Sequence, residues 1–172
     1  MNTTFPPEVL GHLIVRELGA VRKELLAYED ERDIWLTPAG VSNSAGTLTL
    51  HVVGNLRHFL GSVLGGSGYV RRRNAEFSAR DVPLHELLEE IGAAQRDVRQ
   101  SLGQVPPDAL QARYPAPLGG LLVNTEEFLL HLLSHLAYHL GQIDYHRRVV
   151  TGNTGGVGAV DIAELGTATP AT

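Results

Sequence analysis

The sequence contains no cysteine, and this absence excludes several kinds of chemistry. A chain without cysteine has no disulfide framework, no thiolate metal ligand and no cysteine nucleophile. Any sulfur that takes part in a reaction here must therefore belong to a substrate or co-substrate.

Long apolar runs are absent as well. No stretch approaches the ~20 consecutive apolar residues that a membrane-spanning helix requires. The first ten residues, MNTTFPPEVL, lack the basic segment followed by an apolar run that marks an export signal. We therefore expect a cytoplasmic protein with no membrane partner.

An excess of basic residues is also missing. Fourteen Lys and Arg residues stand against nineteen Asp and Glu residues, which gives a formal net charge of −5. A surface built to bind nucleic acid is usually basic, and the only basic run is Arg71, Arg72 and Arg73. An isolated run of this length is typical of a solvated loop, so we expect no nucleic-acid partner.

The chain has 172 residues and is 43% hydrophobic, which suits one domain with a substantial core. Apolar residues recur at three- and four-residue spacing in four segments, which predicts an all-α, four-helix bundle over residues 1–151. The connections after the first helix and before the fourth are long enough to cross a bundle end. Residues 69–79 are predicted to form a linker, and the Gly/Thr/Ala-rich residues 152–172 a flexible C-terminal tail.

The predicted fourth helix, Asn124 to Thr151, carries three histidines spaced four residues apart. Neighbours at this spacing lie about 6 Å apart along the axis and can share one metal ion. On a helical wheel His139 falls within the apolar stripe, His135 at its edge and His131 about 60° outside it. These positions favour His135 and His139 as a ligand pair. His146 is about 10 Å of rise beyond His139, too far to bind the same ion.

Two ligands on one helix form an incomplete site, because catalytic zinc sites take three protein ligands and keep one position open. The best candidate for the third ligand is His51 in the second apolar helix. Asn55 and His58 lie on the same side of that helix as His51. Since His51 and His58 are about 10 Å apart, only one of them can complete the site.

Two segments of the sequence resemble the DinB-like (DinB/YfiT-like) superfamily of bacterial four-helix-bundle proteins. NSAGTLTLHVVGNLRHFLGSVLGG contains His51 at the position of the family's histidine on helix two. HLLSHLAYHLGQI contains His135 and His139 as the family's H-x-x-x-H pair. The segment RNAEFSARDVPLHELLEEI resembles the family's path into helix three, so the resemblance extends over about residues 5–151.

This resemblance implies a divalent metal ion, Zn²⁺ or Ni²⁺, bound by His51, His135 and His139 in a protein that is commonly a homodimer. Family members include transferases that use bacillithiol and an isomerase that depends on mycothiol. It therefore implies a metal-dependent thiol S-transferase whose partners are a small-molecule thiol and an electrophile. One position departs from the family, whose members often carry Arg directly after the second histidine of the pair, where this chain has Leu140.

Three further side chains are candidates to orient the ligands or the substrate: Asn55, Gln142 and, more weakly, Tyr138. Other functions stay open at this point. The same site could serve a metal-dependent hydrolase or isomerase, although no H-E-x-x-H motif supplies a general base. A stress-related metal-binding dimer without turnover is a third hypothesis, and a haem site between facing histidines is a lesser one.

Overall fold

The structure is a computed structural model that describes residues 6–171, apart from the side chain of Pro107. The first five residues of the predicted bundle and Thr172 of the predicted tail lie outside these described residues. Within them, five α-helices are present: α1 Pro7–Leu26, α2 Ala45–Leu56, α3 Arg73–Ser78, α4 Leu84–Leu102 and α5 Thr125–Thr151. A π-helical segment, Arg57–Leu64, continues α2 without a break, and short 3-10 turns span Glu31–Trp35, Pro107–Gln111 and Ile162–Glu164.

The four long helices form the predicted bundle, with α1 and α2 on one diagonal and α4 and α5 on the other. Helices α1 and α2 each contact both α4 and α5. Side-chain contacts fix the directions. Glu24 meets Arg147 near the C-terminal ends of α1 and α5, so these helices are parallel. Phe59, in the segment that continues α2, meets Phe128 at the start of α5, so α2 and α5 are antiparallel. The two long connections therefore cross the bundle ends diagonally, as their lengths predicted.

The ends of α5 are set by the residues that the sequence marks. The Asn124 side chain accepts hydrogen bonds from the backbone N–H groups of Glu126 and Glu127, so it is the helix N-cap. Gly152 ends the helix in the left-handed conformation, at φ 70°, which glycine adopts without strain. Helix α5 consequently runs as one uninterrupted element past all of its histidines.

One segment differs from its prediction. Residues 69–79 were predicted to be a linker, but they contain the six-residue helix α3, which packs against α2. Six residues are too few to show helical periodicity, and intrinsic helix stability at this length is marginal. Tertiary contacts made by Glu76 and Phe77 therefore hold α3 in place.

The segment after α5 carries no buried residue between 152 and 171, in agreement with its composition. Polar side chains nevertheless contact its backbone. Arg147 donates hydrogen bonds to the carbonyls of Asn153 and Gly155, at 3.1 and 2.9 Å, and Lys23 donates one to Gly158 at 3.0 Å. This segment lies against α1 and α5 through hydrogen bonds and an ion pair between Lys23 and Glu164 rather than through a core of its own.

Among residues 6–171, no helix combines the length and the apolar content that crossing a bilayer demands.

Candidate metal centre

Three histidines predicted to lie together do so between α2 and α5. The His51 ring centroid lies 5.2 Å from that of His135 and 5.2 Å from that of His139, and the two rings on α5 are 4.5 Å apart. One nitrogen from each ring lies within 4.8 Å of the other two. The four-residue spacing on α5 and the antiparallel packing of α2 bring all three rings to one point.

The spacing of the nitrogens suits a metal ion. The Nε2 atoms of His135 and His139 are 3.1 Å apart. Two imidazole nitrogens bound to the same zinc ion at about 2.0–2.1 Å, with an angle between a right angle and the tetrahedral value, are themselves about 3 Å apart. The pair on α5 therefore needs little movement to hold a divalent ion together with His51.

The outward-facing nitrogens of two rings are already held by protein groups. His51 Nδ1 lies 3.1 Å from Glu76 Oε2, and His139 Nδ1 lies 2.7 Å from Gln142 Oε1. Because both oxygens accept, these contacts favour a proton on Nδ1 of each ring, which leaves Nε2 of His51 and of His139 with a lone pair for a metal ion. Arg71 Nη2 also lies near His51 Nδ1, but at 3.4 Å this contact is longer than the one to Glu76. This arrangement is typical of histidines that ligate metals.

Glu76 was not singled out from the sequence, because it lies in the segment predicted to be a linker. Its carboxylate is buried and accepts hydrogen bonds from Arg71 Nε and Nη2 at 2.7 and 2.8 Å. Burial favours the neutral acid, but the hydrogen bonds from Arg71 and His51 outweigh it and leave the pKa of Glu76 below its usual value. Glu76 is therefore ionised at neutral pH.

The histidine rings on α5 are held in their neutral, metal-binding form. Burial, together with the neighbouring His139 and His51, lowers the pKa of His135 to about 4. Burial also lowers the pKa of His139, although its hydrogen bond to Gln142 opposes the shift. Because a metal must displace any proton on its ligand, two neutral imidazoles make binding at neutral pH easier.

These pKa values predict how the stability of the metal-free protein depends on pH. Burial lowers the pKa of His58 and of His146 as well, so four histidines resist protonation in the fold. The unfolded chain takes up these protons near its ordinary histidine pKa of about 6.5, whereas the folded protein does so only at lower pH. Stability is therefore complete above this pH and falls as the solution is acidified.

We expect the free energy of unfolding of the metal-free protein to be on the order of 2 kcal/mol lower at pH 5 than at pH 7.5. Urea unfolding at the two pH values, with a chelator present, measures the difference. Replacing the exposed His85 with glutamine should leave it unchanged. Equal stability at both pH values would show that the buried histidines titrate normally.

Two of the three remaining predicted site residues, Tyr138 and Gln142, contact a clustered histidine. The Asn55 Oδ1 atom is buried and has no hydrogen-bond partner among the described residues. The Tyr138 ring lies 5.3 Å from that of His139, but its side chain is 65% exposed. Gln142 contacts His139 directly. Of the three, Gln142 has the clearest structural connection to the histidines.

Other histidines lie outside the cluster of three. His131 is exposed and stacks on His135 at a centroid distance of 6.1 Å. His58 packs against Phe59. His146 contacts the Tyr28 hydroxyl and the Leu36 carbonyl, at 2.7 and 2.8 Å. His146 and His58 lie apart from the cluster, in agreement with the helical rise, and His131 lies apart in agreement with its angle on the helical wheel.

Comparison with known proteins gives one result. The sequence profile of the DinB superfamily matches residues 17–143, well over half of the chain, and this range includes His51, His135 and His139. No curated protein and no solved structure matches the chain. The helical bundle, its histidine cluster and this match together show that the chain belongs to the DinB superfamily.

Proposed function

We propose that this protein binds one divalent metal ion through His51, His135 and His139 and is a thiol S-transferase. Its co-substrate is a low-molecular-weight thiol such as bacillithiol, and its second substrate is an electrophilic small molecule. The observation that carries the proposal is the convergence of three imidazole nitrogens within 4.8 Å of one another. Membership of the DinB superfamily supports it.

The donor set suits the metals that we propose, Zn²⁺ or Ni²⁺. Imidazole nitrogen is a preferred ligand for both, and the chain offers no thiolate that would favour a softer ion. Three neutral ligands would leave the positive charge of a bound ion uncompensated by its ligands and would allow it a further ligand. A divalent ion bound there supplies the charge that stabilises a thiolate at neutral pH.

In the proposed reaction, the sulfur of the thiol forms a bond to an electrophilic carbon of the second substrate. The thiol proton passes to solvent. The bond between that carbon and its leaving group breaks, and its electron pair departs with the leaving group. The sulfur must come from the co-substrate because the chain has no cysteine. The three histidines would bind the metal ion, and Gln142 orients the His139 ring through its hydrogen bond to Nδ1.

A cavity beside Gln142 is the proposed place for part of a substrate. It has a volume of about 250 Å³ and lies between the loop before α2 and the later turns of α5. Its lining residues are mixed in character, which suits a small polar molecule with an apolar portion: Gly40, Val41, Ser42, Asn43, Leu48, Gln142, Tyr145, His146 and Val149.

Hydrolysis on the same centre receives less support. A hydrolase needs a carboxylate or another base that is free to take a proton from water. Glu76, which contacts His51, already accepts hydrogen bonds from Arg71 and from His51. The Asp144 carboxylate accepts from Arg147 and Arg148. Neither acid is free to act as the base.

The same proposal includes a cytoplasmic homodimer. Several large side chains are exposed along one side of α5, with exposed fractions of 65% for Tyr138, 71% for Tyr145 and 61% for Val149. A second copy that covered this side would remove apolar surface from water, which favours association. It would also lie next to Gln142 and the cavity beside it.

The proposal predicts metal content and thiol turnover together. We expect purified protein to contain about one zinc or nickel ion per chain by elemental analysis, and to conjugate bacillithiol to a generic electrophile such as a chlorodinitrobenzene. Chelation should abolish turnover, and returning the ion should restore it. Stoichiometric metal without conjugation of any thiol tested would contradict the transferase and leave a metal-binding protein without this activity.

A further inference from the structure

The short helix α3 directs two successive side chains at one of the three clustered histidines. Glu76 Oε2 lies 3.1 Å from His51 Nδ1. The Phe77 ring packs against the same imidazole at a tilt of 45°, with the ring centroids 4.9 Å apart. His51 therefore has its outer nitrogen and one side of its ring contacted by a single helical segment. His139, by contrast, is held by Gln142 from its own helix.

Arg71 fixes the carboxylate that contacts His51. Its guanidinium makes two hydrogen bonds to Glu76, one to each oxygen, at 2.7 and 2.8 Å. Both side chains are mostly buried, with exposed fractions of 12% and 6%. A bidentate ion pair between buried groups restricts the carboxylate to one orientation, which places Oε2 at the histidine.

The adjoining helix leaves room for this contact. Gly54 on α2 faces the Glu76 side chain, and an added Cβ at this position would overlap the carboxylate. Glycine within a helix makes the helix less stable than alanine would. Its presence here lets Glu76 approach α2 closely enough to contact His51, three residues before Gly54.

We propose that Arg71, Glu76 and Phe77 form a positioning unit that holds His51 in the orientation and tautomer required to bind the metal ion. This proposal rests on the metal site proposed above. A carboxylate that accepts from the outer nitrogen of a ligating histidine strengthens the histidine as a ligand and fixes its ring. Arg71 balances the carboxylate charge while Phe77 restricts rotation of the imidazole.

The experiment compares two substitutions in the full-length protein. Glu76→Gln removes the charge next to His51 and leaves Arg71 near the metal without its carboxylate. Glu24→Gln is a matched control. Glu24 is also buried and paired with an arginine, but its ion pair with Arg147 joins α1 to α5 and does not involve His51. Affinity for Zn²⁺ is measured by competition with a chelator, and the ligand field is measured from the absorption spectrum of bound Co²⁺.

We expect Glu76→Gln to weaken Zn²⁺ binding by about 10- to 100-fold and to change the Co²⁺ spectrum. Glu24→Gln should lower stability while leaving the affinity within about twofold of wild type, since a merely structural role does not reach the ligands. Gly54→Ala provides a second variant, which keeps the carboxylate but displaces it and should weaken binding in the same direction. Wild-type affinity and spectrum in a folded Glu76→Gln protein would overturn the proposal.

A measurement on the metal-free protein separates this proposal from the metal site itself. Nitrogen-15 NMR of the imidazoles reports which nitrogen carries the proton. We expect His51 to be protonated at Nδ1 in the wild type and to populate both tautomers in Glu76→Gln. If the wild type binds no metal but Glu76→Gln changes the His51 tautomer, the proposed metal site fails while the positioning of His51 by Glu76 is supported. If Glu76→Gln leaves the tautomer unchanged, the positioning unit is overturned.

Discussion

Replacing His135 with alanine is expected to abolish stoichiometric metal binding and, with it, thiol conjugation. His135 Nε2 lies 3.1 Å from the Nε2 of His139, and its ring is 5.2 Å from that of His51. Its removal leaves two ligands on different helices, fewer than a catalytic zinc site uses. Because loss of a group that only supports a ligand costs about 10- to 100-fold in affinity, loss of a ligand should cost more than about 100-fold.

Elemental analysis and chelator competition on the purified variants measure this effect. The matched control is His131→Ala, which removes an imidazole one turn earlier on α5, in an exposed position 6.1 Å from His135. It should retain about one ion per chain and wild-type turnover. Circular dichroism checks that both variants keep the helical fold. Retention of the ion by His135→Ala with unchanged affinity would place the metal site elsewhere.

The second large effect concerns stability and lies on another side of the bundle. Arg147 on α5 is fully buried, and its Nε donates a 2.6 Å hydrogen bond to Glu24 Oε2 on α1. The same guanidinium also binds Asp144 and the carbonyls of Asn153 and Gly155. Arg147 therefore joins α1, α5 and the segment that follows α5.

We expect Arg147→Met to lower the free energy of unfolding by about 3–5 kcal/mol, because Glu24 would remain buried without its partner. For a chain of this size, such a loss corresponds to a decrease in melting temperature of roughly 6–20 °C. Thermal and urea unfolding followed by circular dichroism measure it.

Two further variants test the cause of this loss. Arg148→Gln removes a neighbouring arginine that pairs with Asp144 but is 30% exposed, and it should cost less than about 1 kcal/mol. The double variant Glu24→Leu with Arg147→Met removes both buried charges and should be more stable than Arg147→Met alone. If the double variant were less stable than the single one, the unpaired carboxylate could not be the source of the loss.

Much of the fold was predictable because its signals are local. Each apolar stripe is formed by residues near one another in the sequence, and the Asn124 cap and the Gly152 stop each act on the adjoining turn of α5. The pair His135 and His139 follows from the same periodicity, because residues four apart share one face. The residues themselves gave His51 as the best third member, with His58 as the alternative on the same side of that helix, and the family resemblance favoured His51.

The contacts of α3 could not be predicted in this way. Glu76 and Phe77 lie 25 and 26 residues beyond His51, in a segment too short to show a helical pattern. Their side chains meet His51 only because the connection after α2 folds back along that helix. An arginine and a glutamate five residues apart, Arg71 and Glu76, are common in solvated loops and predict no buried ion pair.

By itself, the sequence determined that the chain is helical, that it contains no cysteine ligand or cysteine nucleophile, and that α5 presents two histidines on one face. These features depend on composition and on the geometry of a single helix. Only the tertiary structure decided that α1 and α2 lie diagonally, that the predicted His51 ring reaches the pair on α5, and that Glu76 contacts His51. Such contacts join elements distant in sequence, so they depend on how helices and connections pack together, for which the local pattern of residues carries no signal.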